Sequence, residues 1–192
     1  MARTKSFDEA AVLDQALQLF WERGYEGTSL ADLETHLGLG RQSLYNSFGD
    51  KHALFLKALE RYRRRVSDPA LAQLNSPEAG FDTIRQFFGR GVQAFTSDTR
   101  RGCLVANTIS ELGSGDGDAL VRCNHSREDM ERAFRNALTR AKARRELPKT
   151  LDVEATAMLL VIQNYGLTLL AKAGATATQL HAAVEALLAG LK

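Results

Sequence analysis

Within Gly40-Arg41-Gln42-Ser43-Leu44-Tyr45-Asn46-Ser47-Phe48, an arginine, a glutamine and an asparagine stand among small hydroxyl side chains, and two apolar residues recur four apart. On a helix, Leu44 and Phe48 share the inner face, which leaves Arg41, Gln42, Ser43, Asn46 and Ser47 on a small polar outer face. Those side-chain types fit the edges of bases: a guanidinium pairs with guanine, a carboxamide with adenine, and hydroxyls with either. A helix selected for packing alone needs none of them. Tyr45 and Lys51 stand where contacts to phosphate would fix such a helix in register, and Thr28 opens a helix whose free backbone N–H groups favour an anion.

The other reactive residues are Cys103 and Cys123. They form no Cys-x-x-Cys or Cys/His cluster, which argues against a structural zinc site and a secreted disulfide framework. Arg100-Arg101-Gly102-Cys103-Leu104 places a thiol in the first turn of a predicted helix beside two cations, and the helix dipole and both charges favour thiolate over thiol. The alternative for Cys103 is a small buried residue where helices approach closely. Cys123, beside Arg122 and His125, is a candidate resolving thiol, although nothing in the sequence brings it to Cys103. Asp116-Gly117-Asp118 lacks the remaining ligands of a calcium loop, Gly113-Ser114-Gly115 lacks the Lys-Ser/Thr of a phosphate loop, and no Ser/His/Asp spacing implies a nucleophile. The reading is of a protein that is not an enzyme, with no metal and no cofactor.

These residues need elements to hold them. Ser6-Phe7-Asp8-Glu9 has the form of a capping box, and Ala10, Leu13, Leu17 and Phe20 carry a first helix to about Arg23, where Gly24 closes it. Thr28 or Ser29 opens a second helix bearing Leu30, Leu33 and Leu37, which stops at Gly38-Leu39-Gly40. After the third helix, Asp50 caps a connecting helix that runs through Arg61-Tyr62-Arg63-Arg64-Arg65 and ends at Asp68-Pro69. Five further helices are predicted over 76–96, 101–112, 117–145, 152–173 and 177–190, broken by Ser97-Asp98, the glycines between 113 and 117, Pro148 and Gly174. With no strand alternation and no repeat, the fold class is all-α. A three-helix helix-turn-helix head over 1–50 is followed by a six-helix ligand-binding and dimerisation body over 51–192.

Three blocks now stand in order at a familiar spacing: Phe20-Trp21-Glu22-Arg23-Gly24-Tyr25-Glu26-Gly27-Thr28-Ser29, then Gly38 through Phe48, then Asp50-Lys51. Through them, residues 10–57 resemble the DNA-binding domain of the TetR family of bacterial repressors. The resemblance implies nine helices per protomer, dimerisation through the last two, a palindromic operator and inducer-driven release. It carries Thr28, Arg41, Ser43, Tyr45 and Lys51 over as DNA contacts. Gly40 stands where Ser or Thr often caps the recognition helix, Gln42 replaces a common small residue, and Asn46-Ser47 replaces a frequent aromatic-His pair. Those departures bear on the operator sequence and not on the fold. The competing class is a dimeric small-molecule-binding or adaptor protein of the same fold that does not bind DNA, and the polar face of the third helix argues against it.

A net charge of +2, with 44% hydrophobic and 25% charged residues, requires any nucleic-acid surface to come from local placement of cations. The arginine run at 61–65 reads as a solvated face, and Arg3 and Lys5 as a basic arm within reach of a groove or phosphates. There is no secretory signal at the N-terminus, and the apolar segment 155–173 is interrupted by Gln163, Asn164 and Thr168, so the expectation is a cytoplasmic protein without membrane insertion. Polar groups among apolar walls mark candidate inducer contacts: Cys103, Asn107, Glu111, His125, Asn164 and Tyr165, with Phe88 and Phe134 as the apolar wall. Ala157, Leu160, Val161 and Thr168, with Leu180, Val184, Leu187 and Leu188, give two apolar stripes for a four-helix dimer interface. The expected partners are double-stranded palindromic DNA, a second copy of the chain and an unidentified small-molecule inducer.

Overall fold

The computed structural model describes residues 7–97 and 99–192; the arm, cap and turn expected at Arg3, Lys5, Ser6 and Asp98 lie outside the described residues. Helix α1 (Glu9–Arg23) is capped by Asp8, whose carboxylate accepts from the Ala10 N–H at 2.9 Å. Ser29 and Asp32 form the capping box of α2 (Leu30–Leu37), and Gly38, in the left-handed conformation, turns the chain toward α3 (Arg41–Phe48). Gly40 starts α3 without a side-chain cap. The turn between α1 and α2 is tight: a Cβ on Gly27 would lie 2.3 Å from the Arg23 carbonyl oxygen. Backbone cannot give way as a flexible side chain can, so Gly27→Ala is expected to lower stability by about 1–3 kcal/mol. Gly89, which sits mid-helix in open space, should show the opposite sign on the same substitution, a gain of about 0.5–1 kcal/mol. Denaturant unfolding of the two variants measures both.

Helix α4 (Lys51–Tyr62) does not end at Asp68-Pro69 as the sequence suggests. It runs into a π turn (Arg63–Ser67) and on through α5 (Asp68–Asn75) as one unbroken rod. Proline lacks an N–H, and its ring collides with the carbonyl four residues back; the wider turn accommodates Pro69 without ending the helix. Arg63 spans the turn, meeting Glu60 at 2.9 Å, Asp68 at 3.2 Å and Asp129 of the body at 3.9 Å. The rest of the arginine run is also ion-paired: Arg61 and Arg65 to Asp14, and Arg64 to Glu60.

The body continues with α6 (Phe81–Phe95), α7 (Leu104–Leu112), a 3-10 turn (Gly113–Gly115), α8 (Gly117–Ala143), α9 (Val153–Lys172) and α10 (Ala177–Ala189). Counting the rod once, the described residues form nine helices and no strand. Helix α6 begins later than its periodicity predicts: α5 runs to Asn75 and the Ala79 N–H closes a turn on the Ser76 carbonyl at 3.0 Å, after which Glu146 reaches across from the α8–α9 connection and accepts the Phe81 N–H at 2.8 Å. The head core, built on Phe20, Leu33, Leu44, Phe48 and Phe55, extends into the body through Cys103, Leu104, Val105 and Cys123. The second core lies among α5, α6, α8, α9 and α10.

That second core corrects the predicted dimer stripes. Ala157, Leu160, Val161, Thr168, Leu180, Val184 and Leu188 are buried inside the protomer, and Leu187 is half-buried against them. The outward apolar residues of α9 are Leu159, Ile162, Leu169 and Leu170, the last three 59%, 62% and 54% exposed; Ala182, Ala183 and Ala186 are exposed on α10. Since α9 is apolar on nearly every side, spacing alone could not separate its inner face from its outer one. By length and composition α9 could also cross a membrane, but eight of its residues pack into the protein.

Candidate nucleic-acid interface

Leu44 and Phe48 anchor α3 in the head core, and Arg41, Gln42, Ser43, Tyr45 and Asn46 are exposed on its far side, with Ser47 half-buried. The outer face is pre-oriented: Gln42 donates to Asn46 at 3.1 Å, and Arg41 pairs with Glu34 of α2 at 2.9 Å. The Lys51 ammonium rests 4.2 Å from the centre of the Tyr25 ring, and Tyr25 in turn packs on Phe55 at 4.8 Å. Thr28 is withdrawn from this surface. It is completely buried, its hydroxyl donates to the Gly24 carbonyl at 2.6 Å, and α2 is capped by Ser29. The Asp32 carboxylate accepts the Ser29 N–H at 2.9 Å and pairs with Arg23 at 3.0 Å, so the anion expected at this helix start is supplied by the chain itself.

The head is fastened to the body at both ends of α7. At its start, the Trp21 Nε1–H donates to the Gly102 carbonyl at 3.0 Å, the Arg101 guanidinium lies over the Trp21 ring at 4.4 Å, and the buried Tyr62 phenol lies against Cys103 and Leu104. At its end, the Glu111 carboxylate accepts the N–H groups of Tyr25 at 3.1 Å and Glu26 at 2.8 Å. Nearby, His52 Nε2 meets Asp116 at 2.8 Å. Burial disfavours the charged Asp116, but the Ala119 amide and the His52 ring outweigh it and hold this carboxyl below its usual range. Sequence reasoning missed Trp21, His52, Tyr62, Gly102 and Asp116 as linking residues. Their partners lie 60 or more residues away for Trp21–Gly102 and His52–Asp116, and no local pattern marks such pairs.

The candidate inducer contacts fall in different places. Phe88 and Phe134 stack at 5.7 Å with Phe87 edge-on to both, so this part of the core is filled by aromatic rings. Asn107, Glu111 and Tyr165 come together along an apolar groove of about 550 Å³ between α7 and α9, and Asn107 also donates to the Arg101 carbonyl at 2.8 Å. Asn164 is buried, and His125 lies exposed in a polar cleft between α4 and α8. Cys103 is buried as the N-cap of α7, one position before its first turn. The two neighbouring cations do not attend it as the sequence suggested: Arg101 is held by Gln18 and Trp21, and Arg100 donates to the Ala171 and Ala175 carbonyls.

The family model for bacterial regulatory proteins of the tetR family matches residues 12–58, and that for tetracyclin repressor-like C-terminal domains matches residues 80–187. The chain is 36% identical over 187 residues to the HTH-type transcriptional regulator YezE of Bacillus subtilis (strain 168), covering 96% of each protein. It is 35% identical over 180 residues to the HTH-type transcriptional repressor ComR of Escherichia coli (strain K12), covering 93% of this chain and 86% of that one. Among solved structures, a cysteine-substituted form of the TetR family regulator CifR, complexed with 26-base-pair double-strand operator DNA, is similar with a TM-score of 0.89 at 30% identity, covering 99% of this chain and 100% of that one. With a head and a body that each match in order, and with relatives alike along nearly the whole length, the chain belongs to the TetR family of bacterial transcriptional regulators.

Proposed function

We propose that the protein is a cytoplasmic repressor that grips a palindromic operator as a homodimer and releases it when a small or thiol-reactive inducer acts on the body. The observation that carries this reading is the outer face of α3, where Arg41, Gln42 and Asn46 stand exposed on a helix pinned by Leu44 and Phe48. The CifR complex with operator DNA and the repressor activity named for ComR support it. Residues 1–50 act as the reading head and 51–192 as the regulatory body. The outward apolar face of α9 and the small exposed residues of α10 form the dimer interface. A two-fold pair then presents its α3 helices to successive major grooves, about 34–36 Å apart.

Release works through α7, which holds α1 and α4 at one end and the α1–α2 turn at the other. Cys103 caps that helix and is the trigger; the groove bearing Asn107, Glu111 and Tyr165 is the place for a non-covalent inducer. The aromatic core at Phe88 and Phe134 is not an inducer site, because its rings fill it. Mobility shifts with DNA upstream of the protein's own locus test the reading. Arg41→Ala is expected to weaken binding by about 1–3 kcal/mol and to relax preference at one base pair. Lys51→Ala should weaken all sequences alike and reduce the salt slope by about one. If both variants bind as the wild type does, α3 does not read DNA.

A further inference from the structure

Helices α7 and α8 pack as an antiparallel pair joined by the short connection between Leu112 and Gly117. Folding the chain back at this connection sets residue 103 level with Ser126, one helical turn from Cys123 on the same inward side. Cys103 and Cys123 are both buried in one apolar cluster, 7% and 1% exposed. The Cys103 thiol, after burial itself, helps push the Cys123 thiol up to about 12. Packed helix axes lie about 8–10 Å apart, so a disulfide between inward side chains a turn apart requires the start of α7 to move toward α8 and toward Cys123.

The surroundings are unusual for two thiols that serve packing alone. Tyr62 from α4 lies against Cys103, and Tyr165 from α9 feels both thiols while its buried hydroxyl has no partner among the described residues. A buried hydroxyl without a partner costs about 1–3 kcal/mol. Between α4 and α8, a gap of about 10 Å³ bounded by Leu59, Glu60, Val105, Arg122 and Cys123 leads to this cluster. That is room for about one water and not for an organic inducer, so an oxidant that enters here is among the smallest, such as hydrogen peroxide, admitted as the gap widens by about one atom.

We propose that Cys103 and Cys123 of one protomer are a redox pair, and that their intramolecular disulfide is the operator-releasing state. The proposal rests on the reading of Cys103 as the trigger and names its resolving thiol and oxidant class, a hydroperoxide. The Cys103 sulfur attacks one peroxide oxygen, the O–O bond breaks, and the other oxygen leaves as water. The Cys123 sulfur then attacks the Cys103 sulfur of the resulting sulfenic acid; the S–O bond breaks, and hydroxide leaves with the Cys123 proton as a second water. Two thiols lose two electrons in all, and the peroxide gains them.

The bond draws Cys103 toward α8 and away from Tyr62. Residues 100–103 form a strap with two left-handed residues, Arg100 at φ 41° and Gly102 at φ 67°, and the Gly102 carbonyl holds Trp21. Moving the end of the strap therefore loosens α1 and α4 together.

Peroxide-treated protein, alkylated under denaturing conditions without reductant and digested, is expected to yield one cross-linked peptide pair containing Cys103 and Cys123 of a single chain. Operator affinity should fall at least ~10-fold in the same sample and return with dithiothreitol. Cys123→Ser and Cys123→Ala, each first shown to fold by circular dichroism, should form no cross-link and stay within ~2-fold of untreated affinity at a dose that releases the wild type. A cross-link between chains, or Cys123 variants that release DNA like the wild type with only Cys103 oxidised, overturns the pair while leaving Cys103 as the trigger. Oxidation at Cys103 without release of DNA overturns the trigger and the pair together.

Discussion

Ile162→Asp is expected to give a folded monomer that has lost the operator. Ile162 is 59% exposed on the outer face of α9, so the charge costs little in a lone protomer. In a two-fold interface the substitution occurs twice and removes two carboxylates from water without partners, a cost of several kcal/mol for each. A single head then binds DNA alone, and losing the linked second head should reduce affinity by about 10²–10⁴. Leu160→Asp, two residues earlier, should behave quite differently. Leu160 is fully buried, so a charge there removes the cooperative unfolding transition altogether. Sedimentation at micromolar concentration, thermal melting and a mobility shift on both variants separate the two faces. A stable dimer of Ile162→Asp would place the interface elsewhere.

A large loss of stability that still leaves a folded protein is expected from Phe134→Ala. Phe134 is fully buried, stacked on Phe88 at an interplanar angle of 9° and met edge-on by Phe87 at 5.1 Å. Removing the ring forfeits its burial and leaves a cavity between the other two, a combined cost of about 3–5 kcal/mol. Guanidinium unfolding at fixed protomer concentration should show it as a lower midpoint with an unchanged slope. A dry apolar hole of this kind takes up benzene, so saturating benzene should restore part of the loss in Phe134→Ala and none in the wild type. Full stability in the variant would mean that the aromatic cluster is less tightly filled than its ring contacts indicate.

The head was legible in the sequence because its signals are local. Leu44 and Phe48 fix the inner side of α3 by spacing, Gly38 marks the turn, and Asp50 caps the next helix, all within a few residues of what they position. Thr28 shows the limit: its side-chain type suits a phosphate contact, but whether the hydroxyl faces out or turns back to Gly24 depends on a turn that spacing does not describe. In the body, periodicity located the helices from α6 onward but missed α5, where Pro69 read as a stop, and α9 is apolar on nearly all sides, so its Leu160 and Ile162 could not be told apart before their neighbours were known. Cys103 and Cys123 stand 20 positions apart in the sequence, and only the antiparallel return of α8 along α7 brings them into one buried cluster. Arg100 and Arg101 mislead for the same reason: adjacency along the chain put them beside the thiol, while the strap's left-handed residues aim them elsewhere.

The π turn at Arg63–Ser67 sets a phase between two halves of one rod. Leu54, Phe55, Leu59 and Tyr62 before it pack in the head core, and Leu71 and Leu74 after it pack in the body core. Each residue of an α-helix advances the face by about 100°, but the wide turn absorbs its extra residue, so head and body keep the relation an unbroken helix would give them while the inward-facing positions shift by one in the sequence. Deleting one residue from the α-helical turns on either side, where no wide turn absorbs the change, would swing the head by about that angle about the rod. Both subunits would turn, with opposite senses across the dyad, and two α3 helices set for the same side of the DNA would face away from it. Substitutions in this stretch alter contacts one at a time, but a change of length alters the aim of the whole molecule.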